Sequence, residues 1–239
     1  LSRRLNLRSI AARAEYWLTG SALENTLLHY ALARRHFPAG YRTLLKLHPP
    51  AFLKVVLSNP FPRTVISRHL SRSASYYFGP FRGRASADEF QQQCLDLFQI
   101  RRCQDDLVPS PNHPGCIYGE MSMCMRPCQE VVGREEYASE VGRVIDFLRT
   151  GGQSLVQTIT GARDRLMEEL NFEEAGRQHK RLEKIQQVLK LRDELARENG
   201  GVNGVAVTRS VDPDSVELWF MLEGFWLEPR RFAIRSLDG

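Results

Sequence analysis

The chain has 239 residues, of which 42% are hydrophobic and 26% are charged. A chain of this length can bury a core without disulfide staples, and this composition excludes wholesale disorder. No window approaches the roughly 18 consecutive apolar residues of a membrane span, and no signal-peptide pattern follows Leu1. We therefore expect a cytoplasmic protein without a membrane partner, whose true N-terminus lies upstream of Leu1.

The positive charge is concentrated in the first third of the chain. Residues 1–84 contain fourteen lysines and arginines and two acidic residues, whereas the whole chain has a net charge of only +5. A basic segment joined to a net acidic one is typical of proteins that bind a polyanion through one region. DNA is the polyanion that we favour, and a solvated basic surface is the alternative.

The predicted elements of this basic third begin with two helices, over residues 1–14 and 21–37. Ser21 is the expected N-cap of the second helix, because Glu24 three residues later completes a capping box. Residues 16–19, between the helices, are a short strand candidate. The segment is therefore expected to be a mixed α and β unit.

Strand signals follow at residues 52–57 and 63–67, which are joined by the turn signal Asn59-Pro60. The aromatic run over residues 76–81 is expected to form a turn. That turn leads into a helix predicted over residues 90–100.

Five cysteines in a chain without a secretory signal argue against a disulfide framework. Cys94 lies in the predicted helix and is interpreted as a buried small hydrophobic residue. The other four lie in an irregular stretch rich in proline: Cys103, Cys116, Cys124 and Cys128. A metal centre would hold such a loop together, because thiolates bind iron or zinc and these bonds replace a missing core.

The spacing of these cysteines favours an iron–sulfur cluster over zinc. Zinc ribbons pair their ligands in two close knuckles, and only Cys124 and Cys128 could form one here. A cubane cluster has a larger body, in which each of four irons takes one cysteine. Zinc and four unligated thiols remain the alternatives.

Beyond the cysteines the pattern is helical, with helices predicted over residues 137–148, 154–170 and 172–198. Only Asn171 separates the last two, which are therefore expected to form an αα-hairpin. Two helices bury a narrow seam, so such a hairpin commonly docks on another hairpin or in a groove. A helical spacer between domains is the alternative.

The last predicted elements are three strands, over residues 205–208, 216–222 and 231–234. They are expected to open a domain that continues beyond Gly239. The whole pattern predicts an α+β fold in four parts, which are residues 1–75, 76–150, 151–199 and 200–239.

The order of these features resembles the UvrC family, the incision subunit of bacterial nucleotide excision repair. The stretch from Tyr76 to Cys103 and the stretch from Gly115 to Cys128 are similar to the cysteine region of that family. The resemblance implies a 4Fe-4S cluster, with zinc as the alternative, held by Cys103, Cys116, Cys124 and Cys128.

The stretch from Gly161 to Ile185 resembles the UVR motif, which in the family pairs with a like hairpin on UvrB. A UvrB-like helicase is therefore the implied partner. The residues implied to bind it are Leu170, Phe172, Glu173 and Ala175. Residues 204–239 are similar to the lead-in to the RNase H-like nuclease domain of the family.

Residues 1–5 and 19–38 resemble the later part of a GIY-YIG nuclease domain, whose tyrosine-bearing strands would lie upstream of Leu1. Arg4 matches the catalytic arginine of the family, whereas His29 stands where the family has a metal-binding glutamate. A neutral imidazole is a poor Mg²⁺ ligand, so this nuclease site is expected to be inactive. Mg²⁺ is expected only if a nuclease site is intact elsewhere.

The expected function is DNA binding and recruitment of a UvrB-like helicase for dual incision, without cleavage by this chain itself. Six arginines are expected to hold DNA phosphates: Arg3, Arg4, Arg8, Arg34, Arg35 and Arg42. Two alternatives remain. One is a non-catalytic iron–sulfur or zinc protein that binds DNA as an adaptor, and the other is a GIY-YIG-type relative fused to an exonuclease.

Overall fold

The computed structural model describes residues 11–71, 75–198, 200 and 202–234. The fold is mixed α and β, as the sequence predicts. The described residues form two compact units, which we call the split unit and the central unit. The split unit comprises those up to Leu47 together with those from Asn203 onward, and the central unit runs from His48 to Val202.

The elements follow one another in a mixed order of helices and strands. Within the described residues, and in chain order, they are α1 (Ala22–His36), α2 (Tyr41–Leu44), β1 (Ala51–Val56), β2 (Arg63–Ser67), β3 (Ser75–Phe81), α3 (Arg84–Leu95), α4 (Ile117–Glu120), α5 (Arg134–Arg149), α6 (Gln153–Glu168), α7 (Phe172–Lys190), β4 (Arg197–Glu198), β5 (Gly204–Arg209), β6 (Ser215–Leu222), β7 (Phe225–Trp226) and β8 (Arg230–Ala233).

The central unit is built on an antiparallel sheet with the strand order β2-β1-β3-β4. The predicted strands over residues 52–57 and 63–67 are confirmed as β1 and β2. The turn predicted over residues 76–81 is wrong, because this run is strand β3 and pairs with β1 along its length. Its aromatic side chains favour a pleated, half-buried surface, and Phe78 is almost fully buried there.

The four helices predicted for the central unit are present in the predicted order but with different ends, and the short helix α4 was not predicted. The helix predicted over residues 90–100 is α3, which begins earlier and ends at Leu95, and Cys94 is buried on it as expected. The helix predicted over 172–198 ends at Lys190. Its last residues instead form β4, where Glu198 pairs with Phe78 of β3.

One core joins the sheet to the helices of the central unit. Phe90 of α3 stacks on Phe78 of β3, with ring centroids 5.7 Å apart. The same core continues through Val144 of α5, Ile159 of α6 and Ile185 of α7, all of which are buried. The hairpin predicted from the helical period is confirmed, because α6 and α7 pack along each other.

The split unit contains α1, α2 and a second antiparallel sheet, in which β5 pairs with one edge of β6 while β7 and β8 pair with the other. Ser21 caps α1 as predicted, since its hydroxyl accepts a hydrogen bond of 3.1 Å from the backbone N–H of Glu24. The strand candidate over residues 16–19 is wrong, because these residues pair with no strand among those described. Of the helix predicted over 1–14, residues 11–14 are not helical and the others lie outside the described residues.

The two faces of the second sheet are unusual in polarity. Glu217 of β6 is buried on one face, where its carboxylate accepts hydrogen bonds from Ser210 and from Arg231. On the opposite face, Val207 of β5 and Phe232 of β8 are exposed. None of the helices in the described residues has the length and apolar content that crossing a bilayer requires.

Candidate functional site

The four loop cysteines lie in the stretch between α3 and α5, which we call the cysteine loop (residues 103–128). Cys124 and Cys128 are buried, Cys103 is partly exposed and Cys116 is exposed. Cys116 is the N-cap residue of α4, and Cys128 lies in a single 3-10 turn. The loop therefore presents its thiols from short local turns rather than from one continuous element.

Burial and the neighbouring cysteines both affect the pKa of the buried thiols. Burial raises the pKa of Cys124 to about 11, and Cys116, Cys103 and Cys128 raise it as well. Burial also raises the pKa of Cys128, and the charges of Cys116 and Cys103 add to that effect. Four thiolates in this space repel one another, so holding them ionised together requires a nearby cation.

Hydrogen bonds from distant parts of the chain hold the loop in place. The buried hydroxyl of Tyr137, on α5, accepts from the backbone N–H of Arg101 at 2.8 Å and donates to the carbonyl of Pro62 at 2.9 Å. Glu140, one turn further along α5, accepts from the backbone N–H of Gln99 at 2.9 Å. These bonds connect the start of the loop to helix α5 and to the sheet.

The inside of the loop is closed by backbone contacts. The N–H of Ser110 donates to the carbonyl of Cys128 at 2.9 Å, and the N–H of Met125 donates to the carbonyl of Gln99 at 2.9 Å. The Gln129 side chain donates to the carbonyl of His113 at 3.1 Å. The loop therefore has a defined path although it contains little regular structure.

The donor chemistry of the cysteine loop suits a thiophilic metal. Within the described ranges, no group of three or more His, Cys, Asp or Glu side chains is arranged to hold a single metal ion. A four-iron cluster requires a wider arrangement of ligands than a single metal ion does, because each iron takes its own cysteine around a larger body. Four thiols that influence one another electrostatically are the ligand set that such a cluster uses.

The turn of the α6–α7 hairpin presents apolar side chains to solvent, and we call Met167, Leu170 and Phe172 the hairpin tip. Leu170 is 72% exposed and Phe172 is 60% exposed. Leu170 has a φ of +58°, and Asn171 then caps α7 by accepting a hydrogen bond from the N–H of Glu174. The tip borders a groove of about 520 Å³ between the two helices.

The other two residues expected to bind a partner behave differently from the tip. Glu173 is exposed and forms an ion pair of 2.8 Å with Arg177 one turn later. Ala175 is buried, so its methyl group packs inside the hairpin. The structure therefore brings Leu170, Phe172 and Glu173 to one exposed end of the hairpin.

Three of the six arginines expected to bind DNA lie outside the described residues: Arg3, Arg4 and Arg8. Arg34 and Arg35 are exposed on the last turn of α1, and Arg42 is exposed on α2. Within the described part of the chain, none of these three has a carboxylate within ion-pair distance.

Two tyrosines accompany this basic surface. Tyr41 packs edge-on against Tyr30 of α1, with ring centroids 5.7 Å apart. The Arg42 guanidinium bonds to the Tyr41 hydroxyl at 3.2 Å and lowers the pKa of Tyr41, and the charge of Arg34 lowers it further. The ends of α1 and α2 thus combine cations with aromatic rings.

His29, which replaces the metal-binding glutamate of the nuclease family, is exposed on α1. Glu24, on the same helix, accepts a hydrogen bond of 2.7 Å from the backbone N–H of Gly20. Its carboxylate therefore takes part in the start of α1. Among the described residues, no carboxylate forms an ion pair with His29.

Comparison with known proteins agrees with this arrangement. Residues 51–147, which include the whole cysteine loop, match the family described as "UvrC/Cho excinuclease, middle domain". Over 97% of its length, the chain is 29% identical to the UvrABC system protein C of Moorella thermoacetica, of which it covers 38%. These matches support a divergent UvrC-family protein.

Other relatives of the UvrC family give the same picture. The UvrABC system protein C of Lachnospira eligens is 26% identical over 94% of this chain and 37% of the relative. That of Symbiobacterium thermophilum is 26% identical over 94% of this chain and 35% of the relative. The chain thus spans less than two fifths of the length of these curated relatives. No solved structure matches it.

Sequence reasoning missed the residues that hold the cysteine loop. Arg101, Tyr137 and Glu140 are far from most of the cysteines in the chain, and each reads locally as an ordinary surface or helix residue. Only the long-range hydrogen bonds reveal their role. A partial signal was available at Arg101, which lies two residues before the first ligand candidate.

Proposed function

We propose that this UvrC-family chain acts in nucleotide excision repair by binding DNA and recruiting a UvrB-like helicase through the α6–α7 hairpin. The observation that supports this most is the hairpin tip. Buried side chains such as Leu155 and Ile185 hold the hairpin to the core, so Leu170 and Phe172 are not needed for its packing. An exposed aromatic residue at a helical turn is a typical anchor for a partner.

The backbone of the tip supports the same proposal. Leucine in the left-handed region is less stable by about 1–2 kcal/mol than in the right-handed helix, and glycine is the usual residue there. Leu170 adopts this conformation and is exposed. Strain of this kind, combined with exposure, is expected where a side chain is presented to a partner.

The cysteine loop is proposed to carry an iron–sulfur cluster, with Cys103, Cys116, Cys124 and Cys128 as ligands and zinc as the alternative. When bound, the metal group would supply the bonds that a loop without a hydrophobic core lacks. Its proposed role is structural. It fixes the loop between the sheet and α5, and the residues of the loop orient the four sulfur atoms.

The basic ends of α1 and α2 are proposed to bind DNA phosphates without reading the base sequence. Exposed guanidinium groups without a carboxylate partner among the described residues, with Tyr41 beside them, suit phosphate contacts and stacking on the ring. We also propose that this chain does not cut DNA through its α1 site, because His29 offers no hard oxygen ligand for Mg²⁺. One gel assay at increasing salt tests both points: binding that ignores salt, or Mg²⁺-dependent nicking, would contradict them.

Recruitment is tested by replacing the aromatic anchor. Phe172→Ala should reduce the affinity of the full chain for the C-terminal hairpin of a UvrB-type helicase by about tenfold or more, since anchors of this kind contribute 2 kcal/mol or more. The measurement is titration calorimetry with the purified helicase hairpin.

A matched control is Phe232→Ala, which removes an aromatic ring of similar exposure from β8. This variant should bind the helicase hairpin as tightly as the unchanged chain does. If both variants bind equally well, or if Phe232→Ala is the one that loses affinity, the hairpin tip is not the recruiting surface.

A further inference from the structure

Arg101 is the one arginine in the described part of the chain that is fully buried, with 1% of its surface exposed. Its Nε donates to the carbonyl of Phe61 at 2.9 Å, and its Nη1 donates to the carbonyl of Asp105 at 2.8 Å. The same Nη1 lies 3.3 Å from the sulfur atom of Cys103. Its Nη2 is buried and has no hydrogen-bond partner among the described residues.

The guanidinium of Arg101 has no carboxylate partner among the described residues, whereas the two neighbouring arginines each have one. Arg63 forms an ion pair of 3.1 Å with Asp106, and Arg102 forms one of 2.8 Å with Asp96. Among the residues that the structure describes, no carboxylate lies within ion-pair distance of Arg101. The deepest of three neighbouring guanidinium groups is therefore the one without an acidic partner.

A buried guanidinium needs a counter-charge, because it cannot lose its proton in a protein and an unpaired buried charge is strongly destabilising. Backbone carbonyls satisfy its hydrogen bonds but carry no full negative charge. Among the groups bonded to the guanidinium of Arg101, only the sulfur atom of Cys103 can be an anion. The balancing charge therefore has to come from the cysteine loop.

We propose that Arg101 is the built-in counter-charge of the metal–thiolate centre, a positioning residue that holds the sulfur atom of Cys103 and offsets the net negative charge of the four ligands. This inference rests on the proposed cysteine centre and adds a residue to it. Four thiolates carry more negative charge than either zinc or an oxidised four-iron core can cancel. A buried cation bonded to one ligand would stabilise that excess charge.

The proposal also explains why the guanidinium is fixed so firmly. The carbonyls of Phe61 and Asp105 hold its plane, and the backbone N–H of Arg101 is itself bonded to Tyr137. Arginine suits this role better than lysine, because its planar group can bond to two carbonyls and a sulfur at once. The buried Nη2, which has no partner among the described residues, would be a further donor available to the bound group.

The test is the rate at which the full chain, purified without oxygen, loses its metal to a chelator. Iron, zinc and sulfide are assayed first in the unchanged protein. Arg101→Met should then lose metal about 10- to 100-fold faster, in line with other residues that support metal ligands. Arg101→Lys, which keeps the charge but not the bonds, should fall between Arg101→Met and the unchanged protein.

Arg63→Met is the matched control. Arg63 is a partly buried arginine that also bonds to the carbonyl of Asp105, but it has its own carboxylate and no cysteine contact. This variant should release metal at the rate of the unchanged protein. The proposal is overturned if Arg101→Met also releases metal at that rate, or if Arg63→Met loses metal equally fast.

If Arg101→Met does not fold, as judged by circular dichroism, Arg101→Lys decides the question in the same chelator assay. Metal release from Arg101→Lys at the rate of the unchanged protein would overturn the role of the fixed guanidinium, whereas faster release would support it. An unchanged protein that holds neither iron nor zinc would refute the cysteine centre itself. Normal metal content and release in Arg101→Met would refute only the role of Arg101.

Discussion

The cysteine loop and the helical hairpin belong to the same central unit, but they are ordered by different physical means. The hairpin is held by apolar side chains such as Ile185 and Val188, which are buried against the core, whereas Leu170 and Phe172 at its tip are exposed. The loop has few buried apolar residues and is held by hydrogen bonds from Tyr137 and Glu140. Its four cysteines range from buried to exposed.

This difference teaches where each region can tolerate change. A region ordered by packing can leave its surface residues free to bind a partner, because removing them does not disturb the core. A region ordered by a few buried polar bonds depends on each of them, because every lost bond leaves a buried donor or acceptor unpaired. The predictions below test this contrast from the largest expected effect on stability to the smallest.

Ile185→Ala should have the largest effect. Ile185 is 0% exposed in α7, and replacing a buried isoleucine with alanine destabilises a protein by about 2–5 kcal/mol through lost burial and a cavity. The measurement is the free energy of unfolding of the full chain from urea denaturation. Leu195→Ala is the control, because Leu195 lies just beyond α7 and is largely exposed. Equal effects in the two variants would mean that the hairpin is not ordered by its apolar face.

Tyr137→Phe should have an intermediate effect. The variant keeps the ring, which packs edge-on against Phe61 with centroids 5.4 Å apart, but it loses the hydroxyl. Burial raises the pKa of Tyr137, so this hydroxyl stays protonated and donates to Pro62. Leaving the N–H of Arg101 and the carbonyl of Pro62 unpaired should cost about 1–3 kcal/mol.

The control for this substitution is Tyr16→Phe, which makes the same chemical change at a tyrosine that is 82% exposed. Its free energy of unfolding should equal that of the unchanged chain. If Tyr137→Phe also leaves the free energy of unfolding unchanged in the same urea experiment, buried polar bonds do not order the cysteine loop. The contrast between loop and hairpin would then fail.

The sequence predicted well those features that depend on local pattern. The period of apolar residues located α5, α6 and α7, and the capping box at Ser21 located the start of α1. In each case the information lies within a few residues of the feature.

Features that depend on distant partners were not predictable from the same patterns. The run from Tyr76 to Phe81 contains Gly79-Pro80, so its propensity is ambiguous, and pairing with β1 decides that it is a strand. Helix α7 ends before its pattern ends, because Glu198 pairs with Phe78. The role of Arg101 could not be predicted from the residues around it in the sequence either, since only its burial shows that its charge needs a partner.

The second sheet shows why a hydrophobic pattern alone does not identify the buried face. Its strands alternate as expected, but the face with Glu217 and Ser215 is the buried one. Glu217 tolerates this position because Arg231 and Ser210 both donate to its carboxylate. The pattern predicted β5, β6 and β8 but not β7, and it could not predict which face of the sheet would be buried.

Phe172→Ala should have the smallest effect on stability, although it is the variant expected to lose affinity for the helicase hairpin. The ring is 60% exposed, and substitutions at such surface positions usually change the free energy of unfolding by less than about 0.5 kcal/mol. The same urea experiment, run beside Ile185→Ala on the same helix, measures the difference directly. A large loss of stability in Phe172→Ala would mean that the ring supports the hairpin, and its loss of binding would then be indirect. A small loss together with lost binding would separate the two roles, because it would assign the structure of the hairpin to its buried residues and partner binding to its tip.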